Sequence, residues 1–288
     1  MQGQAYIGRF APSPSGPLHF GSLIAALGSY LRARSQQGKW LVRIEDIDPP
    51  REVAGASTLI LSTLEAYGLY WDDTELYQST RLNVYEAKLQ QLLADEQAYF
   101  CQCTRKQIQA MPDSYDGRCA RLHPPLTHGA IRIKNTAAIA QFHDQLMGNV
   151  SVDKAFAEED FIIKRRDGLY AYQLAVVMDD AFQGITEVVR GSDLLTSSAR
   201  QISLFQQFHA PVPEWLHLPL ACDAPGHKLS KQNHAQAIDN KAPQQSIQAA
   251  LGFLGQAKVD IDAPEIMLKQ AVEQFDLAAI PQQQEILL

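Results

Sequence analysis

The chain has 288 residues, 46% of them hydrophobic, and a net charge of −7, which is ample for a buried core in one large or two modest domains. It opens with no basic segment leading into an apolar run, and no stretch reaches the ~18 apolar residues of a membrane span, so a cytoplasmic protein is expected. Four cysteines do not make a disulfide framework at this length, and the acidic balance argues against indiscriminate nucleic-acid binding.

Tyr6, Ile7 and Phe10 read as a strand, whereas Leu18, Phe20, Leu23, Ile24, Leu27 and Leu31 step by three and four as a helix face. Between them, "RFAPSPSGPLHFGS" (9–22) packs three prolines, two glycines and one histidine. A strand, a tight turn and a helix start together predict an anion site, because the first free N–H groups point outward along a favourable dipole. "KWLVRIEDIDPP" follows as a buried strand ended by Pro49 and Pro50, then "REVAGASTLILSTLEAYG" as a helix with Gly68 at its C-terminal cap. Another helix starts after Ser79. From Cys101 to about Asp167 the periodicity is short and mixed, with strand-like "AIRIK" and "EEDFIIKRRDG", and this stretch reads as an insertion. Apolar runs return in "LYAYQLAVVMDDAFQGITEVVRGSDLL", followed by a helix through "SSARQISLFQQF" and a strand or loop "WLHLPLACDAPGHKLSKQ". Two amphipathic helices, around Ile247 to Leu254 and Pro264 to Phe275, form what reads as a small appendage. Strands alternating with helices predict an α/β fold with a parallel sheet. No heptads or repeats are visible, and a monomer is expected.

Charge is unevenly spread. Arg105, Lys106, Arg118, Arg121, Arg132 and Lys134 face only Asp113 and Asp116 in their segment, and Lys164, Arg165 and Arg166 follow. The same segment, "CQCTRKQIQAMPDSYDGRC", groups Cys101, Cys103 and Cys119 as a zinc knuckle would. From ligand preference alone, His123 or Asp116 would complete the set.

Neither GxGxxG after a strand nor GxxxxGK[ST] is present. Two distant segments instead, "HFGS" (19–22) and "KLSKQ" (228–232), resemble the HIGH and KMSKS elements of class I aminoacyl-tRNA synthetases. That chemistry sends a carboxylate onto the α-phosphorus of ATP, so charge on the phosphates must be stabilised most in the transition state. The resemblance implies catalytic roles for His19, Lys228 and Lys231, and ATP, with its Mg2+, held by His19, Gly21, Ser22, Lys228 and Lys231. The long 9–22 motif with "RIEDID" resembles the glutamyl branch of that family. By position this implies a glutamate pocket of Arg9, Phe10, Ala11, Pro12, Ser13, Glu45, Tyr172 and Arg190. The chemistry agrees: two arginines pair with two carboxylates, Glu45 and the Ser13 hydroxyl take the ammonium, and Tyr172 adds a donor. The resemblance further places Arg9 and Tyr172 at the side-chain carboxylate and Arg190 at the α-carboxylate.

Only 57 residues follow Lys231, too few for an all-helical anticodon-reading domain. This shortness, the CxC…Y…C pattern and "IGRFAPSPSGPLHFGSLIAALGSYL" resemble a truncated paralogous branch of the same family. The resemblance implies that glutamate is activated without tRNA and then attached to queuosine at the wobble position of tRNA(Asp), met through the anticodon stem-loop. It also implies Tyr115 as the fourth ligand of one structural zinc. The expected architecture is a Rossmann-type class I synthetase domain in two halves, 1–98 and 171–225. A zinc-binding, acceptor-like subdomain, 99–170, is inserted between them, and the KMSKS-type loop with a helical appendage spans 226–288. Alternative readings are a truncated synthetase charging a tRNA acceptor end, a small-molecule nucleotidyltransferase and a catalytically idle RNA-binding paralogue. Intact Arg9, His19, Glu45, Lys228 and Lys231 speak against the idle reading.

Overall fold

The computed structural model describes residues 5–112, 114–229 and 236–288. Strand β1 (Ile7–Phe10) leads through the proline-rich turn into helix α1 (Phe20–Ser35), and β2 (Lys39–Ile44) then returns parallel to β1, with Ile7 opposite Lys39 and Phe10 opposite Val42. The parallel return follows from burial: every β2 residue after Lys39 is buried, as in a strand covered on both faces. On α1 the buried positions include Leu23, Ile24, Leu27 and Leu31, the spacing that the sequence showed. A Cβ on Gly28 would come within 2.5 Å of Leu218, so a glycine there lets the helix rest on the sheet.

Helix α2 (Ala56–Ala66) starts later than its sequence pattern suggests, because Pro49–Arg51 form a 3-10 turn and Gly55 takes a φ of 77° ahead of the first helical residue. It ends as expected, with Gly68 at a φ of 71°. A short strand β3 (Leu76–Tyr77) adds parallel to β2, and α3 (Leu82–Ala94) follows a 3-10 turn.

The next stretch carries β4 (Ala98–Cys101), α4 (Arg105–Gln109), β5 (Ala130–Ile133), β6 (Gln141–Asp144), β7 (Gly148–Ser151), α5 (Lys154–Glu158) and β8 (Ile162–Lys164). β4, β5 and β8 form an antiparallel sheet in that order, and β6 and β7 pair as a hairpin. The chain then resumes the α/β alternation with α6 (Tyr172–Gln183), β9 (Glu187–Gly191), α7 (Ser197–Gln207) and β10 (Glu214–Leu218). β9 and β10 are parallel, and the Thr186 N–H donates to the Ile7 carbonyl, which sets β9 beside β1. Strand β11 (Leu220–Ala224) turns back through β12 (His227–Lys228), and helices α8 (Pro243–Phe253) and α9 (Pro264–Glu273) precede β13 (Glu285–Leu287), which pairs parallel to β11.

The last two helices correct the expectation of an appendage. Ile247, Ala250, Leu251, Leu254, Met267, Leu268 and Ala271 are buried in the same cluster as Leu27, Leu31 and Trp40, so α8 and α9 complete the core around α1. Amphipathic periodicity marks a buried face without saying what covers it. Among the described residues no helix is long and apolar enough to cross a membrane.

Candidate active site

A cleft of about 650 Å³ opens over the C-terminal ends of β1, β2, β9 and β10, where open α/β sheets bind ligands. Of the residues expected to hold glutamate, Phe10, Ala11, Pro12, Ser13, Glu45 and Tyr172 line it, and of those expected to hold ATP, His19, Gly21, Ser22 and Lys228 do. Lys231 lies outside the described residues.

The ATP-side residues are placed by the start of α1. His19 is the N-cap, buried, with Nδ1 accepting the Ser22 N–H at 3.3 Å. Gly21 packs against it: an added Cβ would stand 3.1 Å from the His19 ring and 3.4 Å from the Leu229 carbonyl. Its lack of a side chain is thus used to pack the histidine and the Leu229 backbone together, a use that the sequence reading did not anticipate. Across the cleft, Lys228 Nζ donates to Asp193 Oδ2 at 2.6 Å.

Behind the lining lies a buried cluster of charges. Arg9 forks onto Asp180, Nε to Oδ1 at 3.0 Å and Nη2 to Oδ2 at 3.3 Å, and its Nη1 reaches the Val189 carbonyl at 3.4 Å. Arg43, fully buried, meets Asp180 at 2.8 Å and Glu45 at 3.4 Å. Burial pushes the Asp180 carboxyl up, but Arg43 and Arg9 outweigh it and hold the group below the ordinary aspartate range. Glu45 resolves the same contest the other way: burial lifts it to about 7 against the pull of Arg43 and Arg9. Arg190 stands behind Tyr172. It donates to the Tyr172 hydroxyl at 3.3 Å, Gln201 at 2.8 Å, Ser198 at 2.8 Å and His217 Nε2 at 3.1 Å. The structure therefore pairs Tyr172 with Arg190 rather than with Arg9.

Arg43, Asp180, Asp193 and His217 are the residues that sequence reasoning missed. One signal was available: Asp179 and Asp180 are adjacent in a helix that is otherwise apolar where it is buried, and buried carboxylates require partners. Asp179 indeed receives Gln78 at 2.8 Å, Arg81 at 2.5 Å and Tyr85 at 2.6 Å.

Away from the cleft, Cys101, Cys103 and Cys119 bring their sulfurs within 4.8 Å of one another, with Cys103 and Cys119 at 3.5 Å. The buried Tyr115 hydroxyl accepts the Cys119 N–H at 3.0 Å, and the Arg132 guanidinium lies 3.8 Å from its ring centroid. Three thiols gathered in this way are a donor set that suits zinc. His123 and Asp116 do not join the group, and Asp116 is held by Arg118 at 2.8 Å. Cys222 is buried in β11 and also stands outside it. The basic segment needs one correction. Arg132 is buried, 3% exposed, and donates to the Asp160 carbonyl, so it belongs to the interior, whereas Arg105, Lys106, Arg121 and Arg166 are exposed. β5 is covered on both faces, with Ile131 and Ile133 on one and Arg132 on the other beside Tyr115 and Glu159, which a count of charges does not register.

The family model of tRNA synthetases class I (E and Q), catalytic domain, matches residues 7–251. A protein of Shewanella frigidimarina named glutamyl-Q tRNA(Asp) synthetase is 68% identical over 284 residues, 99% of this chain and 97% of that protein. One of the same name from Vibrio cholerae is 54% identical over 98% of this chain and 94% of its own length. Among solved structures, a glutamate tRNA ligase from Elizabethkingia meningosepticum, in complex with its amino acid, superposes with a TM-score of 0.78 at 25% identity. That match covers 97% of this chain but 66% of the ligase.

Proposed function

The chain belongs to the glutamyl-Q tRNA(Asp) synthetases, within the class I tRNA synthetases of the E and Q type, and from that membership we propose that it activates glutamate with ATP in the absence of tRNA and transfers it to queuosine at the wobble position of tRNA(Asp). The observation that carries this reading is the convergence of Ser13 and His19 from the 9–22 motif with Glu45, Tyr172 and Lys228, four separate segments in all, on one cleft.

In this reading the glutamate ammonium meets Glu45 and Ser13. One carboxylate meets Tyr172 with Arg190 behind it, and the other is oriented by Arg9. An oxygen of the α-carboxylate attacks the α-phosphorus of ATP, the bond to the bridging oxygen breaks, and pyrophosphate leaves. His19 and the first N–H groups of α1 meet the phosphates, with the helix dipole favouring their charge. Lys228 and Lys231 supply cationic charge as the transition state forms. ATP enters with its Mg2+, which neutralises phosphate charge.

We assign one structural zinc to Cys101, Cys103, Cys119 and Tyr115. It would pin residues 99–170 as an inserted subdomain between the catalytic halves 1–98 and 171–225, with the exposed Arg105, Lys106, Arg121 and Arg166 toward the anticodon stem-loop. Phosphates flanking a single splayed base suit such a face.

The test has two arms. Glutamate-dependent ATP–pyrophosphate exchange without RNA is expected, with aspartate and glutamine much poorer. Labelled glutamate is expected on a queuosine-containing tRNA(Asp) stem-loop and not on the unmodified guanosine form. Label on the terminal adenosine of tRNA(Glu) instead would overturn the queuosine assignment in favour of a truncated acceptor-charging synthetase.

A further inference from the structure

The guanidinium of Arg190 is held by a buried histidine whose own proton position is held by a carboxylate from a distant segment. His217, on β10, is fully buried, and so is Asp144, at the end of β6. His217 Nδ1 lies 2.7 Å from Asp144 Oδ2, and Nε2 lies 3.1 Å from Arg190 Nε. The chemistry of the partners fixes the tautomer. An arginine Nε only donates, so His217 Nε2 is the unprotonated nitrogen and accepts; an ionised carboxylate only accepts, so Nδ1 carries the proton. Ser198 Oγ, 3.1 Å from the same Nε2, accepts from Arg190 Nη2 at 2.8 Å and closes the set.

Asp144 has no freedom to do otherwise. Its Oδ1 accepts the N–H groups of Leu146 at 3.0 Å and Met147 at 2.8 Å, so Oδ2 is the oxygen left for the ring. The β6–β7 turn that carries it is tied to β10 by Gln145, whose N–H donates to the Trp215 carbonyl at 2.7 Å. Trp215 in turn lies 5.1 Å under the Arg190 guanidinium.

We infer that Asp144 and His217 form a positioning pair for Arg190: the carboxylate sets which ring nitrogen bears the proton, and the other nitrogen sets the plane of the guanidinium that serves the amino-acid carboxylate. The inference rests on the proposed reading of the cleft as the glutamate site. It also makes a segment otherwise expected in the insertion, residues 141–148, part of the support of the catalytic pocket.

Asp144→Asn tests it with little change of shape. The two turn N–H groups keep the amide oxygen at the Oδ1 position, so the NH2 faces His217 Nδ1, the ring shifts its proton to Nε2, and donor then faces donor at Arg190. In pyrophosphate exchange, the glutamate KM is expected to rise on the order of 10- to 100-fold, by analogy with the loss of groups that orient metal-ligating side chains, with the ATP KM unchanged. ¹⁵N NMR of labelled histidine is expected to report an Nδ1–H ring in the wild type and an Nε2–H ring in the variant. His217→Gln, which can present a carbonyl oxygen to Arg190, should retain most glutamate affinity, and His217→Leu should lose it, so the comparison stands even where Asp144→Asn folds poorly. A switched ring with an unmoved glutamate KM would overturn the inference, as would a wild-type ring protonated at Nε2 or parallel rises in both KM values. Wild-type protein without any glutamate-dependent exchange would instead remove the parent reading of the cleft, and this role with it.

Discussion

Glu45 sits where burial and two arginines pull in opposite directions, and burial prevails, leaving its carboxyl at about 7. A group poised there ionises within the working range. If it receives the substrate ammonium as a carboxylate, kcat/KM for glutamate should climb as pH rises through about 7 and level off above. Glu45→Gln should lower that value and remove the climb, so a Gln variant with the wild-type profile would count against the assignment. The same group also affects stability. Its folded value lies above the ordinary 4.5, so it favours the fold at low pH and that contribution is lost as pH rises from about 4.5 toward about 7. Thermal melts of Glu45→Gln should lack this decline. Ser13, His19, Glu45 and Lys228 could be named from the sequence because each belongs to a compact motif, and Tyr172 by its position relative to them in the family resemblance. Their supports could not. Arg9 and Asp180 are 171 positions apart and Asp144 and His217 are 73 apart, and no local period relates such pairs.

Among the elements, α1 is the one around which the others are arranged. Its N-terminus carries His19, its body rests on β10 through Gly28, and α8 and α9 cover it. Leu251→Ala, in α8, should therefore destabilise the whole domain by about 2–5 kcal/mol, as emptied core sites do. Urea unfolding followed by tryptophan fluorescence would measure this, and an unchanged midpoint would mean that α8 is a detachable piece. The Cys103→Ser variant addresses the cysteine cluster. Zinc measured by metal analysis should fall from about one per chain, the usual content of one structural site, to near zero. Glutamate-dependent exchange should persist better than transfer to RNA, because the cleft residues lie outside the knuckle. The long helices were readable since each buries a stripe with a 3.6-residue period. The β6–β7 hairpin was not, because its eight residues are mostly half-buried or exposed and bury only Asp144 and Val150, leaving no alternation to detect. β13 is three residues in a polar tail, too short to carry a pattern at all.

At the scale of the whole molecule, the basic side chains include two contrasting groups. Arg9, Arg43 and Arg190 are at most 6% exposed and locked to internal partners, whereas Arg105, Lys106, Arg121 and Arg166 stand in solvent. A negative net charge hides this division, since the sum over the chain says nothing about where each sign resides. The two populations see different surroundings. Mobile ions screen charges that stand in water and barely reach those enclosed in protein, and displacement of counterions from a nucleic acid is what makes such complexes sensitive to ionic strength. Adding potassium chloride should therefore act as a selective inhibitor. Between about 50 and 200 mM, transfer to the stem-loop should weaken by roughly 20- to 40-fold if about three phosphates are engaged, while glutamate-dependent pyrophosphate exchange stays nearly level. Equal losses in both assays would place the RNA and the amino acid under one electrostatic control. Unequal losses would mean that the buffer alone can hold the enzyme at its charged intermediate, with glutamate activated and its acceptor kept away by nothing more than an ionic atmosphere.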